Sequence, residues 1–359
     1  MIEFIIKYYF HTNFDKTSYL IYRSIISLLT SLFFSLIVGS YLIKFLKKHQ
    51  MYQTIRSNGP KIHINKKYTP TMGGILILSS IIISTLLWSN LSNIYIWYAL
   101  MILIGFGIVG FIDDYKKIYF NTSTGLRPQW KLFFLSIITI LVIILIYYNN
   151  KNNFIIQLIC PIQKNIVINI GIIHIFLSYI ILIGFSNAVN LTDGLDGLAI
   201  VPVILITIGL YLLSFISGNL HHSTHFNIVY IPSIAELTIL CSAVIGSGLG
   251  FLWFNAYPAQ IFMGDVGSLP LGGVIGIIAI LLHQEIIFFI MSGIFIFETI
   301  SVIIQVTYFK LKKKRIFKMT PIHHHYELKG CPEPKIAVRF WIISLVFMLL
   351  GCSFIFKVN

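Results

Sequence analysis

Ten stretches of this chain are apolar over about the length of a membrane crossing, and short polar segments separate them. A spanning helix needs roughly 20 mostly apolar residues. The pattern predicts helices over about 19–46, 73–90, 94–112, 131–149, 170–187, 198–217, 234–254, 266–284, 286–309 and 336–356. A Ser-Asn turn around Asn90–Asn93 joins the second and third into a hairpin. The expected fold is all-α: one polytopic integral membrane domain over 1–359, with about ten transmembrane helices. No internal repeat, low-complexity tract or soluble-domain-sized segment interrupts it. The longest loops on the basic side are about 47–72 and 310–335.

Composition sharpens this picture. The 359 residues are 57% hydrophobic and 11% charged, with mean hydropathy +0.86. A soluble domain carries about 25% charged residues. The net charge of +14 would suggest nucleic acid in a soluble protein. Here the basic residues cluster between apolar segments, which suits membrane topology and anionic substrates. Lys44, Lys47, Lys48, Arg56, Lys61, Lys66 and Lys67 share one side with Lys116, Lys117, Arg127 and Lys131. The run from Lys310 to Arg339 lies there too, so this side holds twenty of the 26 Lys and Arg. The positive-inside rule makes it cytoplasmic. Ten spans then put both termini, with Lys7, Lys16, Arg23, Lys151, Lys164 and Lys357, on the periplasmic side. Cys160, Cys241, Cys331 and Cys352 show no paired spacing, so neither a disulfide frame nor a zinc frame is expected. No short apolar run with a small-residue cleavage site opens the chain, so no removable signal peptide is expected.

The carboxylates carry the chemical signal. Five of six aspartates, Asp113, Asp114, Asp193, Asp196 and Asp265, fall at cytoplasmic ends of predicted spans or in the loops there. Acids kept at a membrane are costly and usually functional. In Asp113-Asp114-Tyr115-Lys116-Lys117, Asp113 and Lys117 stand one helical turn apart. Such a group can hold a divalent ion, take a proton or grip a phosphate, and it can equally be a helix-end ion pair. In Asn187-Ala188-Val189-Asn190-Leu191-Thr192-Asp193-Gly194-Leu195-Asp196-Gly197, polar residues recur every third position. Each step drifts by about 60° around a helix, so the four side chains cannot all meet one ligand on a straight helix. A capped turn would use the same residues. Asp265 stands between two glycines in the otherwise uncharged loop from Trp253 to Ser268. Its isolation suits Mg²⁺, which takes one or two carboxylates and leaves room for phosphate oxygens. Phe254, Tyr257 and Phe262 fit either base stacking or interfacial anchoring. His323, His324 and His325 are adjacent and point in different directions, which makes a poor single-metal site. They suit hydrogen bonds to a diphosphate or sugar, or a solvated loop. No nucleophilic Ser or Cys is evident. Phosphoryl transfer needs charge neutralisation and positioning more than covalent chemistry.

Five motifs carry a resemblance. They are Thr69-Pro-Thr-Met-Gly-Gly74, Asp113 to Lys117, Ser186 to Ala199, Phe262-Met-Gly-Asp-Val-Gly-Ser268 and Pro321-Ile-His-His-His-Tyr-Glu-Leu328. In this order they resemble the phospho-N-acetylmuramoyl-pentapeptide transferase family, within the polyprenyl-phosphate N-acetylhexosamine-1-phosphate transferase superfamily. The resemblance covers nearly the whole chain, and the triple histidine and the Thr-Pro-Thr segment point to that branch. It implies a bacterial inner (cytoplasmic) membrane enzyme of peptidoglycan synthesis. UDP-N-acetylmuramoyl-pentapeptide and undecaprenyl phosphate would give lipid I and UMP, with Mg²⁺ as cofactor. By motif it implies Asp265 as Mg²⁺ ligand and Asp113, Asp114 and Asp265 as catalytic acids, Asp113 being the base. The nucleotide-sugar site would draw on Lys66, Lys117, Lys131, Asn187, Asn190, Asp193, Asp196, Asn255, Phe262, Gln305, His323, His324 and His325. A homodimer is compatible with it. Tyr68, where the family favours glycine, and the weakly charged Asn121-Thr-Ser-Thr-Gly125 depart from the pattern. A transporter with intramembrane acids is the competing class. Against it, the aspartates lie at one face rather than at mid-membrane, and no broken helix pair is evident.

Overall fold

The structure, a computed structural model, describes residues 16–52, 66, 68–120, 124–149, 157–159 and 167–355. Arg56, Lys61, Lys67, residues 121–123, Cys160 and the basic residues Lys7, Lys151, Lys164 and Lys357 lie outside the described residues. So does the opening segment to which the signal-peptide expectation applies.

The predicted spans appear as helices. They are α1 (Lys16–Lys48), α2 (Gly74–Trp88), α3 (Ile94–Tyr119), α4 (Pro128–Asn149), α5 (Ile173–Thr192) and α6 (Ile200–Ser217). After the short α7 (Leu220–His225) come α8 (Leu237–Asn255) and α9 (Asp265–Leu281). The chain closes with α10 (Glu285–Met291), α11 (Gly293–Lys312), the short α12 (Ile322–Glu327) and α13 (Glu333–Ser353). By length and composition, eight helices can cross a membrane, while α2 and α9 are shorter apolar helices. Two three-residue strands, Gln157–Ile159 and Val167–Asn169, pair antiparallel between α4 and α5. The all-α expectation did not include them; three residues are too short to show a period of two.

The ninth predicted span corrects a second expectation, because it breaks between α10 and α11 at Ser292. Helical bonding continues from Ser292 N–H to Phe288 O and from Ile296 N–H to Ser292 O, so the break is a kink. A Ser-Gly pair is a common kink site, and Gly293 lets the chain pass against the Phe347 ring. A single kink with its bonding continued is not the pair of broken helices that transporter sites use, so it leaves the case against a transporter as it stood.

The bundle is organised around α9. All seventeen of its residues are buried, and it packs along α3 and α5. A second layer sets α1 along α8, with α2 and α6 beside them. Serines stitch this layer: Ser27 meets Ser84 at 2.9 Å and Ser35 meets Ser80 at 2.7 Å. Small hydroxyl residues allow close helix approach and pair where hydrocarbon offers no other partner. The outer helices invert the rule for soluble proteins. Phe133, Ile137, Ile140 and Ile144 of α4 face outward, as do Ile303, Ile304 and Val306 of α11. Apolar belts of this extent are untenable in water and expected against lipid. The molecule is thus built as a multi-pass membrane protein.

Candidate active site

Three helix ends bring the acids together. α3 runs two turns beyond its predicted end, so Asp113, Asp114 and Lys117 share a helical face, with both acids buried. α9 begins at Asp265. The gap between these helices is closed tightly: a Cβ on Gly110 would run into the Asp265 carbonyl. Gly264 adopts φ +71°, and a Cβ there would strike the Asp114 carboxylate. Only glycine adopts that backbone freely while letting the acid so near. The Val266 N–H then donates to Asp114 Oδ2 at 3.1 Å.

Two lysines balance the acids. Lys117 Nζ lies 2.6 Å from Asp113, 3.2 Å from Asp114 and 3.0 Å from Asp265. Lys131, in the first turn of α4, donates to Asp265 Oδ2 at 2.7 Å. Asn190 donates to the other oxygen of Asp265 at 2.7 Å and to Ser268 Oγ at 2.8 Å. The Leu126 N–H caps Asp113 at 2.8 Å. Carboxylate oxygens of Asp113, Asp114 and Asp265 lie within 4.8 Å of one another. An all-oxygen set of this kind suits Mg²⁺ or Mn²⁺ rather than a soft metal.

Asp193 follows α5 and looks into the same cluster. Desolvation, then the nearness of Asp265, Asp114 and Asp196, pushes its carboxyl up to about 8, against a bond from the Gly264 backbone. The residue as a whole keeps some surface, so the desolvation is local to its carboxyl end. Asp196 turns elsewhere. It accepts from Lys66 at 2.6 Å and from the Ala259 N–H at 2.9 Å. Glu333 accepts from the same lysine at 2.6 Å and from the Asp196 N–H at 2.8 Å. Lys66 also stands 5.9 Å from the Phe262 ring and 5.8 Å from that of Tyr257. Asn255 accepts from the Gly197 N–H at 3.0 Å and donates to Ile261 O at 2.9 Å, tying the two loops together.

Of the four polar residues read at three-residue spacing, Asn190 and Asp193 therefore turn to the Asp265 cluster and Asp196 to Lys66. Asn187 turns back to the Ile183 carbonyl at 2.8 Å. Gln305 holds the loop after α11 by accepting from Ile316 and Phe317 N–H. The histidines diverge as expected. His323 is fully buried, 3.1 Å from Glu298 of α11, with its Nε2 against Gly194. His324 faces Glu327 at 2.6 Å. His325 accepts from the Lys318 N–H at 3.1 Å, and burial with Lys329 and Lys318 nearby holds it below the ordinary histidine range. Tyr68 is exposed, edge-on to Tyr52, and Gly125 lies against Asp113.

The motifs do not point to Glu333 or Glu298, and Ser268 closes a motif without having been given a role. Glu298 had a signal, since an ionisable residue inside an apolar span is functional by default. Glu333 had a weaker one, an acid at the start of the last span between two prolines.

Residues 96–283 match the family described as Glycosyl transferase family 4. The phospho-N-acetylmuramoyl-pentapeptide-transferase of Buchnera aphidicola subsp. Acyrthosiphon pisum (strain APS) is 58% identical over 343 residues, 96% of this chain and 96% of its own. That of Buchnera aphidicola subsp. Baizongia pistaciae (strain Bp) is 60% identical over 332 residues, 92% of this chain and 98% of its own. A bundle whose acids, lysines and glycines converge at one end of three helices, with likeness of this extent, belongs to glycosyl transferase family 4, in the group of these phospho-N-acetylmuramoyl-pentapeptide-transferases.

Proposed function

We propose that this chain transfers phospho-N-acetylmuramoyl-pentapeptide from UDP-N-acetylmuramoyl-pentapeptide to undecaprenyl phosphate, releasing UMP and forming lipid I. It does so at the cytoplasmic face of the bacterial inner membrane, as a ten-span protein with periplasmic termini. The observation that carries the reading is the convergence of Asp113, Asp114 and Asp265 with Lys117 and Lys131, in a chain so similar to transferases of that name.

The donor set fits Mg²⁺, with Asp265 as principal ligand; when bound there, the ion would neutralise diphosphate charge. The chain's own residues do the rest. Asp113 accepts the proton of the lipid phosphate, whose oxygen attacks the sugar-linked phosphorus, and UMP leaves. Lys117 and Lys131 offer ammonium groups to phosphate oxygens. Lys66, Phe262, Asp193, Asp196, Asn190 and Asn255 form the nucleotide-sugar side. Gln305 and His323 act through the segments that they fasten, Asn187 acts within the last turns of α5, and His324 and His325 stand at the rim. One chain supplies the whole acid and lysine set, so a homodimer is not needed to complete the site.

Purified protein should form UMP and a lipid-linked product only with both substrates and Mg²⁺. Equal use of UDP-N-acetylglucosamine would move the assignment to a sister transferase. Exchange of radiolabelled UMP without lipid phosphate, or a trapped phospho-sugar adduct on an aspartate, would overturn the single displacement. Ion flux in liposomes without substrate would revive the transporter.

A further inference from the structure

The far end of the bundle carries a second cluster that the transfer reaction does not use. His174 opens α5, sixteen residues before Asn190, so the two lie about 24 Å apart along the helix. His283 follows the last turn of α9, and Glu285 opens α10. His174 and Glu285 are sealed, at 0% and 1% exposure, while His283 at 7% is the group nearest the surface. Each offers one ligand atom within 4.8 Å of the others.

His174 Nε2 lies 2.8 Å from Glu285 Oε1. A buried ion pair would account for that contact alone. It would not account for what remains: Glu285 Oε2 and His283 Nδ1 are both buried with no hydrogen-bond partner. Buried polar atoms are nearly always paired, and two orphans in one cluster point to a missing shared partner. Two imidazoles and one carboxylate converge there and offer three ligand atoms to a shared partner, which suits a cation held through their lone pairs. Two histidines and a glutamate make a zinc-type donor set, too rich in nitrogen for Mg²⁺. The outer contacts agree. His174 Nδ1 is 3.1 Å from Tyr147 Oη and 3.3 Å from Ser178 Oγ. With Nε2 turned to a metal, Nδ1–H donates outward, and such an outer partner fixes tautomer and ring angle.

We infer that His174, His283 and Glu285 form a binding site for one transition-metal ion of the zinc class, at the end of the bundle opposite the acid–lysine cluster. The ion ties the start of α5 to the turn that ends α9, and these two helices carry Asn190 and Asp265 at their other ends.

The test uses the full-length purified protein in detergent, with excess Mg²⁺ to occupy the acid cluster and Co²⁺ as optical probe. The expected result is one Co²⁺ per chain with visible ligand-field bands of four- or five-fold coordination, displaced by one equivalent of Zn²⁺. His283→Ala and Glu285→Gln should each weaken binding by more than about 100-fold, and Tyr147→Phe by about 10- to 100-fold. Zn²⁺ should raise the thermal midpoint of the unaltered protein and not of His283→Ala. Absence of the bands, or bands retained in His283→Ala, would overturn the site. His283 is the least enclosed of the three, so its variant decides if Glu285→Gln fails to fold. None of these readouts depends on transferase activity.

Discussion

Asp265 has both oxygens engaged, one by Lys117 and Lys131, the other by Asn190. Asp265→Asn would leave two ammonium groups facing each other without their shared anion and would remove the hard ligand. Turnover should fall by at least about 100-fold. Near-normal turnover at saturating Mg²⁺ would remove Asp265 as ligand. Asp193 makes a different prediction. Its folded value of about 8 lies above the unfolded value of 3.8. The folded state therefore holds the extra proton, and metal-free stability drops as pH rises between those values, by about 1.4 kcal/mol per unit at most. Asp193→Asn should gain thermal stability over the unaltered protein from pH 5 to 8, then hold that gain. A gain that does not depend on pH would place the Asp193 carboxyl in an ordinary environment. The aspartates were legible in the sequence because charge in an apolar chain stands out. Their partners were not. That Asp196 belongs with Lys66 and Glu333, while Asp193 belongs with Asp265, depends on how loops far apart in sequence meet.

At the level of elements, length and apolarity located the spans, because a helix in hydrocarbon must satisfy its own backbone. The kink at Ser292, the short α7 and α12 and the strand pair left too few residues to show a period. Contacts between helices were beyond the pattern for a related reason: when lipid-facing and buried sides are both apolar, hydropathy does not mark the packed face. α2 shows this. A Cβ on Gly74 would meet the backbone of Gly267 in α9, which cannot move aside as a side chain can. Gly74→Ala should force α2 from α9 and cost about 1–3 kcal/mol. Thermal unfolding in detergent checks it, and an unchanged midpoint would show that the two helices can separate freely.

For the whole molecule, the uneven distribution of Lys and Arg fixes the proposed orientation. A cysteine replacing Thr224, in the helix after α6, should react with a membrane-impermeant maleimide from outside intact cells. One replacing Lys314, after α11, should react only once the membrane is opened. The reverse pattern would invert the molecule and carry the acid cluster to the wrong side for a soluble nucleotide donor. The enclosure of α9 has a further consequence, for how the chain tolerates change. In α4 the buried positions Leu135, Thr139, Val142 and Ile146 recur at helical spacing, so a library of polar substitutions there should give a periodic map of losses. Across Asp265–Leu281 there is no outward side, and the map should be flat and severe. Sequence drift in such a protein should therefore collect at its rim, with the axial helix as its slowest-changing segment.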